Sequence, residues 1–390
     1  MRSTAGEFAK EFPKIASRLS LDEFACGDPY VERLLEGFAF LAARVQLKLD
    51  AEFPQFTQSI LETVYPHYLS PTPSMAVVEF AFDTKQSAIE NGFQLKRDTV
   101  LRSAMESDNR VACEYRTGHS VMLWPLRVTR AEYYARDLSR FQPPAAVASA
   151  KAGIRIELEI PSELPFANLD LDSLTFFIRG AEAIPFRVYE QIFANGMGVL
   201  ALPPKKPFAW QCLLPKTSIR SVGFTHEEAL LPVQARSFHG YQLLHEYFAF
   251  PQRFLFFRIE GLRQCVKQCK SNRLNLVILL DRDEPQLEGR IEARNFLLHC
   301  APVINLFPKR ADTIHLSDKV TEFHVVPHRT QHMDFEVYQV LKVTGYGVLS
   351  EEKQEFKPFY AATDIKTSSG SGAYFTVNRT PRMMSSREKQ

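Results

Sequence analysis

From residue 29 onward the apolar positions recur at helical spacing. Val31, Leu34, Leu35, Phe38, Leu41, Ala42, Val45 and Leu49 fall on one stripe and predict a helix over residues 29–50. Its start is well marked: Asp28 can accept a hydrogen bond from a first-turn amide, and Pro29 at the first helical position forfeits no needed donor. Phe40 and Leu47, with Ala43 between them, lie on the side opposite that stripe. A helix apolar on both sides wants neighbours on both sides, which favours a bundle over a single layer across a sheet. The plainer alternative is that both faces pack within the chain's own helical layer. A second helix, carrying Phe56, Ile60, Leu61 and Val64, is predicted over residues 54–65, and Pro66, Pro71 and Pro73 end the helical region.

After Ser74 the period changes to two. Val78, Phe80 and Phe82 share a face, and residues 154–160 alternate without fault, as a half-buried strand does. Similar runs occupy 174–178, 254–259, 274–280, 322–326 and 335–343, with Pro, Gly and Asn between them. That punctuation fits antiparallel sheets better than alternating strand-helix units. The fold class expected is therefore α+β and β-dominated, a helical N-terminal segment followed by antiparallel β domains. The divisions read from proline clusters and small-residue stretches are 1–74, 75–145, 146–250 and 251–365, with a low-complexity tail at 366–390.

Composition sharpens this picture. The 390 residues hold 31 Phe, 13 Tyr and 2 Trp, 12% of the chain, and each ring can bury on the order of 150–250 Å². Something large is packed, within the chain or between chains. A formal charge of +2 lacks the positive excess a nucleic-acid groove or an anionic membrane surface demands. Only 17 Gly accompany 24 Pro, which weakens any reading built on glycine-rich phosphate loops. No secretory signal pattern opens the sequence, and the longest charge-free apolar segment, 296–308, falls short of the roughly 18 residues that mark a spanning helix. A cytoplasmic protein without a membrane anchor is expected, with its six cysteines reduced and mostly serving as small buried hydrophobes.

Few residues offer chemistry. His324, His328 and His332 are spaced by four and on a helix would converge as metal ligands, the basis for a metal-dependent hydrolase as the alternative function. Pro327 and the Val325-Val326 pair argue against that helix, so solvated histidines in a loop are the better reading. Cys265 and Cys269 sit one turn apart among Arg263, Lys267, Lys270 and Arg273, which reads as a polar, solvated turn or short helix. The acidic run at 281–284 reads as an exposed turn. Gly-x-Gly pairs at 196/198, 345/347 and 370/372 extend to no nucleotide-binding fingerprint, and no GxSxG elbow occurs. No catalytic residue, metal ligand or cofactor site is assigned. Composition favours an assembly component, with an enzyme of unrecognised site and a ligand-binding module left open.

Several longer strings go further. DPYVERLLEGFAFLAARVQLKLD at 28–50, EFP at 52–54, YPHYLSPTPSM at 65–75, GYQLLHEYFAFP at 240–251, FLFF at 254–257, CAPVINLFP at 300–308, VVP at 325–327 and FEVY at 335–338 resemble, in the same order, the TssF family of type VI secretion baseplate subunits. The resemblance implies a non-enzymatic scaffold similar to contractile-phage baseplate wedge proteins. In it two TssF copies join one TssG, TssE and TssK attach, and the wedges surround the VgrG spike hub and nucleate the sheath. It further implies a place in the bacterial cytoplasm, docked against the inner-membrane complex, and a chain shortened at both ends relative to the family. On this reading Leu34, Leu35, Phe38, Phe40, Leu41, Val45 and Leu47 form the intersubunit face, with Phe40 and Leu47 the sharper expectation.

Overall fold

A computed structural model describes residues 2–18, 28–81, 92–104, 112–233, 237–317, 319–331, 334–347, 353–359 and 373–379. Phe82, His332 and the low-complexity segment 367–372 lie outside the described residues. The chain divides into two compact units, one of Met1–Leu69 with Lys342–Gln390 and one of Ser70–Leu341.

The first unit opens with two short helices, α1 (Arg2–Glu11) and α2 (Pro13–Arg18). A single 36-residue helix, α3 (Pro29–Val64), follows. At 1.5 Å per residue it is about 54 Å long. Its start is the one the sequence predicts: Pro29 leads the first turn and the Asp28 carboxylate accepts from Tyr30 N–H at 2.8 Å. The expected break before Pro54 does not occur. Proline there removes one intrahelical hydrogen bond, at a cost of about 3 kcal/mol. Yet Phe56 and Ile60 continue the stripe of Val45 and Leu49 in phase, so one helix keeps a single apolar side across the proline.

The second unit is built on two sheets that share a core. The larger is five-stranded and antiparallel, ordered β10 (Cys212–Pro215), β9 (Gly196–Leu202), β13 (Arg273–Leu280), β7 (Ala152–Glu159) and β6 (Arg127–Tyr134). The other is four-stranded: β11 (Ile219–Val222), β12 (Phe256–Glu260), β8 (Ser173–Ile178) and β14 (Phe296–Leu297). Ile154, Ile156 and Leu158 of β7 and Leu274, Leu276 and Ile278 of β13 pack with Phe176 of β8 and Phe257 of β12 in one cluster, where those two rings stack at 5.1 Å. The opposite face of the larger sheet is covered as well. Leu200, Leu202, Val277 and Leu279 meet Leu138, Phe141 and Val147 there. Burial on both faces explains why β13 is a continuous apolar run rather than an alternating one.

This sheet joins strands on either side of residues 145/146 and 250/251, so the divisions read from the sequence at those points fall within one hydrogen-bonded structure. The small-residue stretch 142–152 packs on the sheet instead of linking two bodies. Polar residues in the sheet are paired across strands. Glu159 stands in register between Arg127 and Arg273 and accepts from both, which holds its carboxyl below the usual range. Helix α4 (Ile184–Ala194) runs straight into β9, and a Cβ on Gly196 would lie 2.2 Å from the Ile192 carbonyl oxygen. The glycines at 196 and 198 thus serve close backbone approach.

A second four-stranded sheet, β1 (Met75–Glu79), β15 (Cys300–Ile304), β4 (Glu114–Thr117) and β3 (Val100–Arg102), and the pair β2 (Phe93–Leu95) and β5 (Val121–Leu123) complete this unit's sheets. The expected strands at 322–326 and 335–343 do not form. Pro327 removes a ladder donor, and the described residues of 305–342 instead follow an irregular path, with Phe307 and Phe335 edge to face at 6.3 Å and Lys309 over Phe335 at 4.0 Å. Only Val343–Tyr346 at the end of that run is a strand, β16, which joins β17 (Lys353–Pro358) and β18 (Tyr374–Phe375) in a small sheet of the first unit. The β-dominated α+β class expected from the sequence is the one observed.

Candidate interaction surfaces

Most of the described apolar side chains of helix α3 are exposed. Leu34 is 75% exposed and Phe38 63% on one stripe, with Leu41 and Val45 exposed beside them and Leu35 half-buried. Phe40, 63% exposed, and Leu47, 67%, stand about 180° away at 100° per residue. Every residue from 41 to 50 is exposed. Between the stripes Arg44 lies over the Phe40 ring at 5.9 Å, and Gln46 donates to Asp50 at 2.9 Å one turn on. The predicted site residues are thus brought together on one element, in two rows on opposite sides of it. Two exposed apolar rows on one long helix offer a hydrophobic driving force for association in two directions.

A second exposed row lies outside the interface residues that the sequence singles out. Helix α5 (His239–Ala249) lies in the GYQLLHEYFAFP string, and its inner side is polar. Glu246 accepts from Leu230 N–H at 3.1 Å, Leu231 N–H at 2.9 Å and Gln242 Nε2 at 3.0 Å. Gln242 also donates to the Leu231 carbonyl at 2.7 Å. Arg253, just beyond the helix, pairs with Glu246 and donates to the carbonyls of Gly223 and Glu228, and both ion-pair side chains are 1% exposed. Burial pulls the Arg253 guanidinium down to about 10, with nearby Glu228 opposing the shift, so it stays charged at neutral pH. The network locks α5 onto the 223–231 segment and leaves Phe238, Tyr241, Leu244 and Phe248 facing out, Phe248 81% exposed. The sequence carries the signal as Tyr241, Leu244 and Phe248, an apolar helical repeat opposite Gln242 and Glu246.

The other candidates resolve as structure. His324 is exposed in irregular chain, and His328 Nδ1 lies 3.2 Å from Thr330 Oγ1 with its ring beside Phe335. Among the described residues no group of three His, Cys, Asp or Glu side chains is placed to hold a metal ion. The acidic run at 281–284 is an exposed turn in which Glu284 caps the next short helical turn. The short helix expected here forms as α6 (Arg263–Lys267), but it is not solvated: Cys265 within it and Cys269 just after it are buried, because Val266 and Leu262 carry them into the main core. Nor are all the cysteines free, since Cys212 and Cys265 are joined as a disulfide, while Cys269 and Cys300 are buried thiols and Cys113 is exposed. No helix among the described residues is long and apolar enough to cross a membrane.

Comparison with known proteins places this arrangement. The chain is 49% identical over 393 aligned positions to the type VI secretion system component TssF1 of Pseudomonas aeruginosa, covering all of this chain and 62% of that protein. The chain therefore spans less than two-thirds of the length of that relative. Its fold is similar to that of a chain in the cryo-electron microscopy structure of a type VI secretion TssK-TssF-TssG baseplate subcomplex, with a TM-score of 0.67 at 24% identity over 89% of this chain and 62% of that one. The sequence model described as "Type VI secretion system, TssF" matches residues 1–390, and the chain belongs to that family.

Proposed function

We propose that the chain is a structural subunit of a type VI secretion baseplate, acting by binding and without turnover or cofactor. In this role it joins a TssG subunit and a second TssF copy in a wedge that also carries TssK and TssE. Such wedges surround the VgrG spike hub and nucleate the contractile sheath at the cytoplasmic side of the inner-membrane complex.

The observation that carries this reading is α3, whose Leu34, Phe38, Leu41 and Val45 on one side and Phe40 and Leu47 on the other are all exposed. One stripe would suffice to seat a helix on its own protein. Two exposed rows call for two further helices, as a heterotrimeric wedge bundle provides. The near-neutral charge is in keeping with partners that are other proteins. The test is co-expression with a TssG subunit followed by affinity capture. The chain retains both TssG and a second copy of itself, whereas a variant carrying Phe40→Glu and Leu47→Glu loses at least one of them and keeps its β-sheet unit folded. Full retention by that variant would sink the interface assignment.

A further inference from the structure

We propose that Cys212 and Cys265 form a reversible thiol–disulfide staple that pins the free edge of the five-stranded sheet to its core when the protein meets an oxidant of the peroxide class. The two residues are 53 apart in sequence with Cα atoms 5.5 Å apart, and they differ in what holds them. Cys212 is the first residue of β10, an edge strand with four register pairs to β9 and, among the described residues, no strand on its other side. A strand so placed is where the sheet frays first. Cys265 is fully buried on α6, in the crossover between β12 and β13, where Leu262 N–H donates to the Asp172 carbonyl at 2.8 Å and Val266 packs in the main core. The bond therefore ties an edge strand of the sheet to a helix buried in the main core.

The segment it closes holds β11, α5, β12 and the Glu246–Arg253 pair, so the exposed aromatic row of α5 rides on chain anchored at both ends. Access runs through Cys212, which is half-buried. Its thiolate attacks one oxygen of hydrogen peroxide and the O–O bond breaks. This leaves a sulfenic acid on Cys212 and releases hydroxide, which becomes water on taking a proton. The Cys265 sulfur then displaces water from that sulfenic acid and forms the S–S bond. In sum two thiols lose two electrons and two protons, and one peroxide becomes two waters. A dithiol returns the two electrons by exchange, becoming a disulfide itself. Cys269, four residues from Cys265, stands aside: its sulfur engages the carbonyls of Ser271 at 3.6 Å and Arg273 at 3.3 Å, and burial raises its pKa, keeping it a thiol. In a reducing compartment the dithiol is the resting form and the staple closes on oxidative challenge.

The experiment takes the full chain, treats it with hydrogen peroxide or dithiothreitol, measures the thermal midpoint of one portion, and alkylates the other in denaturant, where buried thiols react, before measuring its mass. Of the six cysteines, four alkylate after peroxide and six after dithiothreitol. Non-reducing peptide mapping recovers the 212–265 link. Reduction lowers the midpoint by about 5–8 °C, the chain-entropy effect of a loop this long in a unit of this size. Cys212→Ser and Cys212→Ala lose the redox response and melt with the reduced protein, while Cys269→Ser keeps it. Six alkylated thiols after peroxide, a link through Cys269, or equal midpoints in the two redox states would each overturn the proposal.

Discussion

The most direct perturbation of α3 is truncation of its minor row. Phe40→Ala with Leu47→Ala leaves the helix intact, because both side chains are about two-thirds exposed, 63% and 67%, and alanine is the best helix former. The isolated protein should therefore change in stability by no more than about 0.5 kcal/mol. Binding should respond differently. Full burial of a large apolar side chain is worth about 1.5–3 kcal/mol, so covering the exposed two-thirds of each residue contributes about 1–2 kcal/mol. The pair then contributes about 2–4 kcal/mol, an affinity loss of about 30- to 900-fold. Replacement by glutamate adds the cost of desolvating two carboxylates and should exceed this range. The assay is titration of TssG against the purified chain by calorimetry, with circular dichroism of each variant as the control for helix content. An affinity within threefold of the parent, with helix content unchanged, would refute the assignment of Phe40 and Leu47 to an interface.

Other consequences are as concrete. Removing one partner of the buried Glu246–Arg253 pair, as in Arg253→Met or Glu246→Leu, leaves an uncompensated charge with 1% exposure and should destabilise the Ser70–Leu341 unit by about 3–5 kcal/mol in denaturant titrations. The α5 row should behave in the opposite way: Phe248→Ser, at an exposed position, should leave the denaturation midpoint within error of the parent. Acid should weaken the fold through His119 and His299, which burial holds neutral with pKa values of about 4. Their folded values lie below the unfolded value near 6.5, so their contribution is complete above about pH 6.5 and is lost as pH falls from there to about 4. Denaturant midpoints at pH 7, 6 and 5 should fall in that order, and His299→Gln should flatten the trend. Elemental analysis of the purified protein should find no stoichiometric zinc, and a full equivalent would revive the histidine cluster as a metal site.

Much of this fold could be read from residue patterns, and the exceptions share a cause. The alternation at 154–160 became β7 because one strand with a regular period carries its own face assignment. The two-sided pattern of α3 was legible for the same reason, since its rows lie within one element. Its continuation past Pro54 runs against proline's usual role as a helix stop, although the phase of Phe56 and Ile60 matches Val45 and Leu49. What could not be read depends on residues far apart in sequence. Glu246 looks anomalous in an aromatic string until the amides of Leu230 and Leu231 and the guanidinium of Arg253 are placed around it. Cysteine pairing has the same character, because spacing does not fix connectivity. The runs at 322–326 and 335–342 have strand-like composition but meet no partner edge among the described residues, and composition alone cannot supply one.

The central claim is that two opposite rows on one helix recruit two different neighbours. Native mass spectrometry of the chain co-expressed with TssG tests it most directly, with the charge-substituted rows, Leu34→Glu with Phe38→Glu and Phe40→Glu with Leu47→Glu, measured alongside. The account predicts a complex of two copies with one TssG for the parent, and a different incomplete species for each substituted row. A monomer in the parent sample, or an intact three-chain complex with both rows substituted together, would contradict it.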